Sequence, residues 1–150
     1  MKLEELLADF DGADPEEALE MLIELSETLP PVSATRAATP RSGECRIQEC
    51  QTPVDLWTDL ISGQVFLEAV VPEKSPTVRG FVALLVTGLK GATPEEVLAM
   101  PDDFLPRLGL AETLGMTRQR GFHGIVARIK QDVSRAQSRG VSPGVSAPIR

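Results

Sequence analysis

Apolar residues near the start of the chain recur three or four positions apart, which is the spacing of a helix with one buried face. They are Leu3, Leu6, Leu7 and Phe10. A second helix is predicted after Asp14, because Asp14-Pro15-Glu16-Glu17 combines a capping residue, a first-turn proline and a glutamate placed to reach back. It ends at Leu29-Pro30, and the small, polar residues 31–43 are predicted to form a surface loop.

The middle of the chain changes to a strand pattern. Residues 54–61 and 64–71 are rich in β-forming side chains and are separated by Ser62-Gly63. This spacing predicts a β-hairpin with a two-residue turn, and Trp57 is expected in the core of its sheet. A third strand, at the edge, is predicted for residues 45–49, which leaves Cys50 in a connection between strands.

Helical patterns return after Pro72. Ser75-Pro76 and Thr93-Pro94-Glu95-Glu96 predict two helix starts, a short helix is expected within residues 101–114, and a long last helix begins near Thr117. No apolar periodicity follows, so residues 1–136 are predicted to form one domain and residues 137–150 a flexible tail. The predicted fold class is α+β, a small antiparallel three-stranded sheet packed against helices in the order α-α-β-β-β-α-α-α.

Composition narrows the class of protein. The chain has 150 residues, 42% of them hydrophobic and 25% charged, which is typical of one globular domain with a substantial core. It holds no run of about 20 apolar residues, so a membrane span is not expected. The first residues lack the cleavage pattern of a signal peptide, and two cysteines are too few to staple a secreted domain. A cytoplasmic protein with reduced thiols is therefore expected.

Charge is distributed unevenly along the chain. The net charge is −7, with ten acids and one base in residues 1–30, and seven bases and two acids in residues 111–150. The negative total argues against a nucleic-acid partner, because such binding depends on neutralising phosphates. The acidic and basic ends could pair with each other or steer a charged protein partner.

The two cysteines are the candidate chemical groups. A zinc or iron–sulfur site needs about four thiolate or imidazole ligands, whereas the chain offers Cys45, Cys50 and His123, so no metal site is expected. A disulfide between the cysteines is disfavoured in a reducing compartment. Cys50 lies in a predicted loop, where functional residues concentrate, but its acidic neighbours disfavour a resting thiolate. A buried, inert cysteine therefore stays open as an alternative.

Four motifs resemble those of the SufE family, and they occur in the same order. They are Leu29-Pro30, the active-cysteine segment Arg46-Ile47-Gln48-Glu49-Cys50-Gln51-Thr52-Pro53-Val54 followed by Trp57, Val78-Arg79-Gly80-Phe81, and Thr117-Arg118-Gln119-Arg120-Gly121-Phe122. Two positions depart from the family pattern. Glu49 replaces the usual glycine before the cysteine, and Lys74 replaces an acid. Cys45 has no counterpart in the pattern.

The resemblance implies a SufE/IscU-like fold and a sulfur acceptor with no cofactor of its own. On this interpretation Cys50 receives persulfide sulfur from a SufS-like, PLP-dependent cysteine desulfurase, stimulates that enzyme, and passes the sulfur to an iron–sulfur cluster assembly scaffold. Gln51 and Arg118 are the possible supporting residues. The protein would then be a sulfurtransferase-like accessory protein rather than a stand-alone enzyme, with no nucleic-acid or membrane partner.

Two other classes of function stay open. The first is a regulatory module that binds a desulfurase or scaffold without carrying sulfur. The second is a thiol redox protein in which Cys50 attacks peroxide and Cys45 resolves the product. Cys50→Ser would abolish sulfur transfer but spare a regulator, whereas Cys45→Ser would damage only the redox protein.

Overall fold

The elements of this α+β protein come from a computed structural model, which describes residues 2–38, 53–101, 105–110 and 113–139. Within those residues the elements are α1 Lys2–Ala8, α2 Pro15–Ser26, α3 Ala34–Ala38, β1 Asp55–Ile61, β2 Gln64–Val70, α4 Pro76–Gly88, α5 Pro94–Ala99, α6 Leu105–Leu108 and α7 Gly115–Arg139. None of the described helices is both long and apolar enough to cross a membrane.

The predicted hairpin is confirmed. β1 and β2 pair antiparallel, and Ile61 lies opposite Gln64 at the turn. Ser62 and Gly63 have φ angles of 52° and 79°, the positive values that a tight two-residue turn requires. The part of the sheet that the structure describes has two strands. The predicted third strand at residues 45–49 lies outside the described residues, so neither the three-stranded sheet nor the predicted element order is confirmed.

Helix α4 lies at the centre of the core. Nine of its 13 residues are buried, and it packs against α1, α2 and β2. The inner face of the hairpin supplies the other side of the core through Leu56, Leu60, Val65, Leu67 and Ala69. Helix α7 packs against both β1 and α5.

Three consecutive residues join α4 to its neighbours. Arg79 donates hydrogen bonds from Nε to the Ser26 carbonyl oxygen at 2.9 Å and from Nη1 to the Val71 carbonyl oxygen at 2.6 Å. A Cβ atom at Gly80 would lie 1.9 Å from the backbone oxygen of Leu22, so only glycine fits there. The motif containing these residues therefore has a structural role.

The third of these residues, Phe81, is stacked on Phe122 of α7. The ring centroids are 4.2 Å apart and the ring planes differ by 11°. Both rings are almost fully buried, at 1% exposure. The motif in α4 and the motif at the start of α7 thus meet in the core, which gives their resemblance to the family pattern a packing explanation.

Two predicted capping boxes are confirmed. Asp14 accepts a hydrogen bond from the backbone of Glu17, and the Glu17 side chain accepts one from the backbone of Asp14. Thr93 and Glu96 make the same reciprocal pair at the start of α5. Both boxes could be predicted from the sequence because each depends only on residues three positions apart.

The prediction of a surface loop over residues 31–43 is wrong for residues 34–38, which form α3. This helix is held by contacts with the hairpin. Such contacts cannot be predicted from the sequence of residues 31–43 alone. At the other end of the chain, α7 continues through Arg139. Residues 140–150 lie outside the described residues, so the domain boundary at 136 and the flexible tail stay predictions.

Candidate functional site

Cys50 and Gln51 lie outside the described residues, and so does Cys45. The structure therefore describes the candidate site through the chain on either side of these residues. On one side α3 ends at Ala38, and on the other the description resumes at Pro53. Both sides adjoin the hairpin.

The entrance to β1 is fixed in the core. Val54, four residues after Cys50 in the sequence, has 0% exposure, and Asp55 is only 4% exposed. Asp55 begins β1 and lies opposite Val70 near the end of β2. A buried valine at the entrance of a strand fixes the register of the residues that follow it. Val54 is therefore the described residue nearest to Cys50 in the sequence that is anchored in the core.

Arg36 of α3 contacts the outer face of the hairpin through its guanidinium group. Its Nη2 lies 2.7 Å from Oδ1 of Asp59, and its Nη1 lies 2.8 Å from Oδ2 of the same carboxylate. Nη1 also donates to Oε2 of Glu68 at 2.9 Å. The guanidinium carbon lies 5.5 Å from the ring centroid of Trp57. We call these four residues the Arg36 cluster.

A backbone contact extends the same attachment. The amide nitrogen of Ser33 donates to Oε1 of Glu68 at 2.6 Å, so both oxygens of this carboxylate accept from the α3 region. The side chains of Arg36, Asp59 and Glu68 are 24%, 15% and 28% exposed. The cluster is therefore partly shielded from water, which strengthens charged hydrogen bonds relative to those at an open surface.

Burial and the two carboxylates shift the pKa of Arg36 in opposite directions, and the combined effect of the carboxylates is the larger. Burial acts to lower the pKa of Arg36, but the hydrogen bonds and negative charges of Asp59 and Glu68 together raise it above its ordinary value. Arg36 therefore carries its positive charge at every pH at which the protein would work.

The strand register explains how the hairpin forms this cluster. Trp57 lies directly opposite Glu68, and Asp59 follows Trp57 by two positions on the same face. The prediction that Trp57 belongs to the sheet core is wrong: it is half-buried on the outer face, because Leu56 and Leu60 occupy the inner one.

Sequence reasoning missed the Arg36 cluster, although one part of it had a signal. Once the Ser62-Gly63 turn is assigned, the register brings Asp59 and Glu68 to one face of the hairpin, and two neighbouring carboxylates indicate a cation. The sequence carried no comparable signal for Arg36, which lies 23 residues before Asp59.

The remaining candidates lie on α7. Arg118 is half-buried in the first turn of this helix, and its relation to Cys50 stays a prediction because Cys50 is not among the described residues. His123 is exposed and lines a shallow surface groove with Arg120, Gly124 and Ala127. Within the part of the chain that the structure describes, no three histidine, cysteine or acidic side chains are grouped so as to hold a metal ion.

The fold and the ordered motifs define the class of protein. The model of the SufE family, described as an Fe-S metabolism associated domain, matches residues 4–133. The chain therefore belongs to the SufE family, as its motifs predicted. This places it in a family associated with iron–sulfur metabolism.

Individual relatives agree with this assignment. An uncharacterized SufE-like protein of Mycobacterium tuberculosis is 33% identical over 135 residues, which cover 89% of this chain and 92% of that protein. A cysteine desulfuration protein SufE of Plasmodium vivax is 28% identical over 97 residues, covering 63% of this chain and 40% of that protein. The solution structure of a hypothetical protein from Thermus thermophilus superimposes with a TM-score of 0.77 at 33% identity, covering 91% of this chain and 96% of that chain.

Proposed function

We propose that this protein is a sulfur acceptor that takes persulfide sulfur from a cysteine desulfurase onto Cys50. The observation that carries the proposal is the match to the SufE family over residues 4–133, a range that includes the segment around Cys50 that resembles the family's active-cysteine segment. The name of the Plasmodium relative, a cysteine desulfuration protein, supports the same chemistry. The sulfur then passes to an iron–sulfur cluster assembly scaffold.

The transfer step conserves atoms and electrons. The Cys50 thiolate attacks the terminal sulfur of a persulfide on the desulfurase cysteine, and a new sulfur–sulfur bond forms on Cys50. The old sulfur–sulfur bond breaks, and the desulfurase cysteine leaves as a thiolate. The proton of the transferred sulfur accompanies it or exchanges with water, and no external oxidant or reductant is consumed.

The described structure supports this role by providing fixed points on both sides of the Cys50 segment. Val54 is buried at the entrance to β1, and Arg36 attaches α3 to the same hairpin. Gln51 and Arg118 are proposed to support the transfer, Gln51 as the neighbour of the thiol and Arg118 as a cation that favours the thiolate or contacts the partner.

The partner in this proposal is a SufS-like, PLP-dependent desulfurase, which itself supplies the chemistry that releases sulfur from free cysteine. The acceptor needs only a thiol, and it acts in the cytoplasm, where thiols stay reduced. Stimulation of the desulfurase follows, because emptying its persulfide allows the next turnover.

Mass spectrometry tests the proposal directly. After incubation with a desulfurase and free cysteine, the wild-type protein should gain one sulfur, and peptide mapping should locate it on Cys50. Cys45→Ser is the matched control and should gain sulfur equally. An unmodified Cys50 in a protein that still stimulates the desulfurase would favour a regulatory module instead, and damage from Cys45→Ser would favour a thiol redox protein.

A further inference from the structure

The contacts described for α3 are dominated by one side chain. The helix has five residues, too few to persist in water without outside support. Ala34, Thr35 and Ala37 are exposed, whereas Arg36 is half-buried against the hairpin. Among the contacts described between α3 and the hairpin, those of the Arg36 guanidinium are the most numerous, beside the hydrogen bond from the Ser33 amide to Glu68.

The hairpin contributes three groups that suit such a ligand. Asp59 accepts two hydrogen bonds from Arg36 in a two-pronged arrangement, and Glu68 accepts a third. Trp57 offers an aromatic ring at 5.5 Å from the guanidinium carbon. Two-pronged pairing and stacking on an aromatic ring both favour arginine over lysine.

These three groups belong to the hairpin alone and would stay together if α3 moved away. Trp57 and Asp59 lie on β1, Glu68 lies on β2, and the paired strands fix their spacing. Without Arg36 they would present two negative charges beside an aromatic ring. An arginine from another molecule could then make the contacts that Arg36 makes.

We propose that Trp57, Asp59 and Glu68 form an arginine-binding site, which Arg36 fills from within the chain and which an arginine of a docking partner protein takes over. The exchange would detach α3 when the partner docks. α3 ends at Ala38, before the Cys50 segment, so the exchange would release the chain that leads into that segment while β1, which begins at Asp55, stays paired. This consequence for sulfur transfer rests on the proposed function, whereas the binding site does not.

The first test measures the site without any partner. Trp57 is the single tryptophan of the chain, so intrinsic fluorescence reports on this site alone. The Arg36→Ala variant should bind Nα-acetyl-arginine amide with a saturable change in fluorescence. Nα-acetyl-lysine amide should bind more weakly, and Asp59→Asn in the Arg36→Ala background should abolish the response to arginine.

The wild type, in which Arg36 competes with added arginine amide for the site, is the reference for this titration. If α3 leaves the site in roughly one molecule in ten, the wild type should need about ten-fold more arginine amide than Arg36→Ala. Equal binding of arginine and lysine, or a response that survives Asp59→Asn, would overturn the site. Circular dichroism checks the fold of Arg36→Ala, and Arg36→Lys, which keeps the charge, gives a second variant with an expected intermediate response.

The second test adds a cysteine desulfurase. Removing the internal competitor should lower the acceptor concentration needed for half-maximal stimulation by about ten-fold, with the maximal rate unchanged. A purely structural role for Arg36 predicts the opposite, a higher half-saturation or a lower maximum. Arg107→Gln is the matched control, because Arg107 also bridges two carboxylates, Glu4 and Asp11, and should have no effect.

The two proposals fail in different ways. If the wild type gains no sulfur on Cys50, the proposed function fails, and the fluorescence titration still decides the arginine site. If the wild type gains sulfur and Arg36→Ala stimulates the desulfurase with an unchanged half-saturation, the exchange is wrong and the proposed function stands.

Discussion

Helices α4 and α3 are attached to the protein by opposite kinds of contact. Helix α4 is mostly buried, touches the backbone of α2 at Gly80, and stacks Phe81 on Phe122. Helix α3 is mostly exposed and is attached through the polar contacts of Arg36 and Ser33.

The difference lies in what can replace each contact. Water or another molecule cannot take the place of a backbone packed against a backbone, so the contact between α4 and α2 is lost only when the core opens. A guanidinium held by carboxylates can be exchanged for water or for a second guanidinium. The first contact preserves the fold, and the second is suited to change.

The largest effect is expected from Gly80→Ala. The added methyl group would overlap the Leu22 carbonyl oxygen, so α2 and α4 must separate, and the variant should lose about 3 kcal/mol of unfolding free energy or fail to fold. Urea denaturation measures the loss. Gly12→Ala is the control, since Gly12 has a φ of 83° but open space around it, and it should cost only about 1 kcal/mol. A smaller loss for Gly80→Ala than for Gly12→Ala would contradict the close contact.

Arg79→Met should have the next largest effect. It keeps an apolar stem but removes the hydrogen bonds to the carbonyl oxygens of Ser26 and Val71, with an expected loss of about 2 kcal/mol. The same denaturation measurement applies, with Arg79→Lys as the comparison, because one ammonium group cannot reproduce both bonds of the guanidinium. Full stability of Arg79→Lys would show that charge alone is sufficient.

Arg36→Gln should lower the unfolding free energy by less, about 1 kcal/mol, because the contacts of Arg36 are polar and partly exposed to water. Limited proteolysis should cleave near α3 faster than in the wild type, while the melting temperature changes little. A loss as large as that of Gly80→Ala would place α3 in the cooperative core and remove the contrast between the two helices.

The smallest effect concerns acid stability. The backbone hydrogen bond from Thr93 lowers the pKa of Glu96 below its ordinary value of 4.5. A lowered pKa in the folded state contributes stability that is present above pH 4.5 and is lost as the pH falls through the folded value. Glu96→Gln should thus be slightly less stable than the wild type at about pH 7, and the difference should shrink as the pH falls through the folded pKa of Glu96. Glu95→Gln, in the same turn but outside the capping box, should lack this pH dependence.

The same contrast explains how much the sequence could predict. The capping boxes and the Ser62-Gly63 turn depend on neighbours within three residues, and both were predicted correctly. Helix α3 depends on carboxylates 23 and 32 residues away, so its own five residues contained no signal for it. Gly80 was found only as part of a motif, because the reason for it is a carbonyl group on another helix.

The candidate site was predictable only in part. Cys50, Gln51 and Arg118 came from the resemblance to a family, and the match over residues 4–133 confirms membership of that family. The roles of these three residues stay predictions. Arg36 escaped detection because an arginine after a proline-bearing stretch has many uses on a protein surface, and only the folded hairpin selects one of them.

The contact at Gly80 also determines where slow motions can arise. Helices in backbone contact cannot slide past each other without collision, so the amide protons of α2 and α4 should exchange with deuterium only when the whole domain unfolds. Release of α3 from the hairpin frees its amides without opening the core, so they should exchange orders of magnitude sooner. The hydrogen-exchange pattern of this protein is therefore expected to divide between the end of α2 at Ser26 and the start of α3 at Ala34.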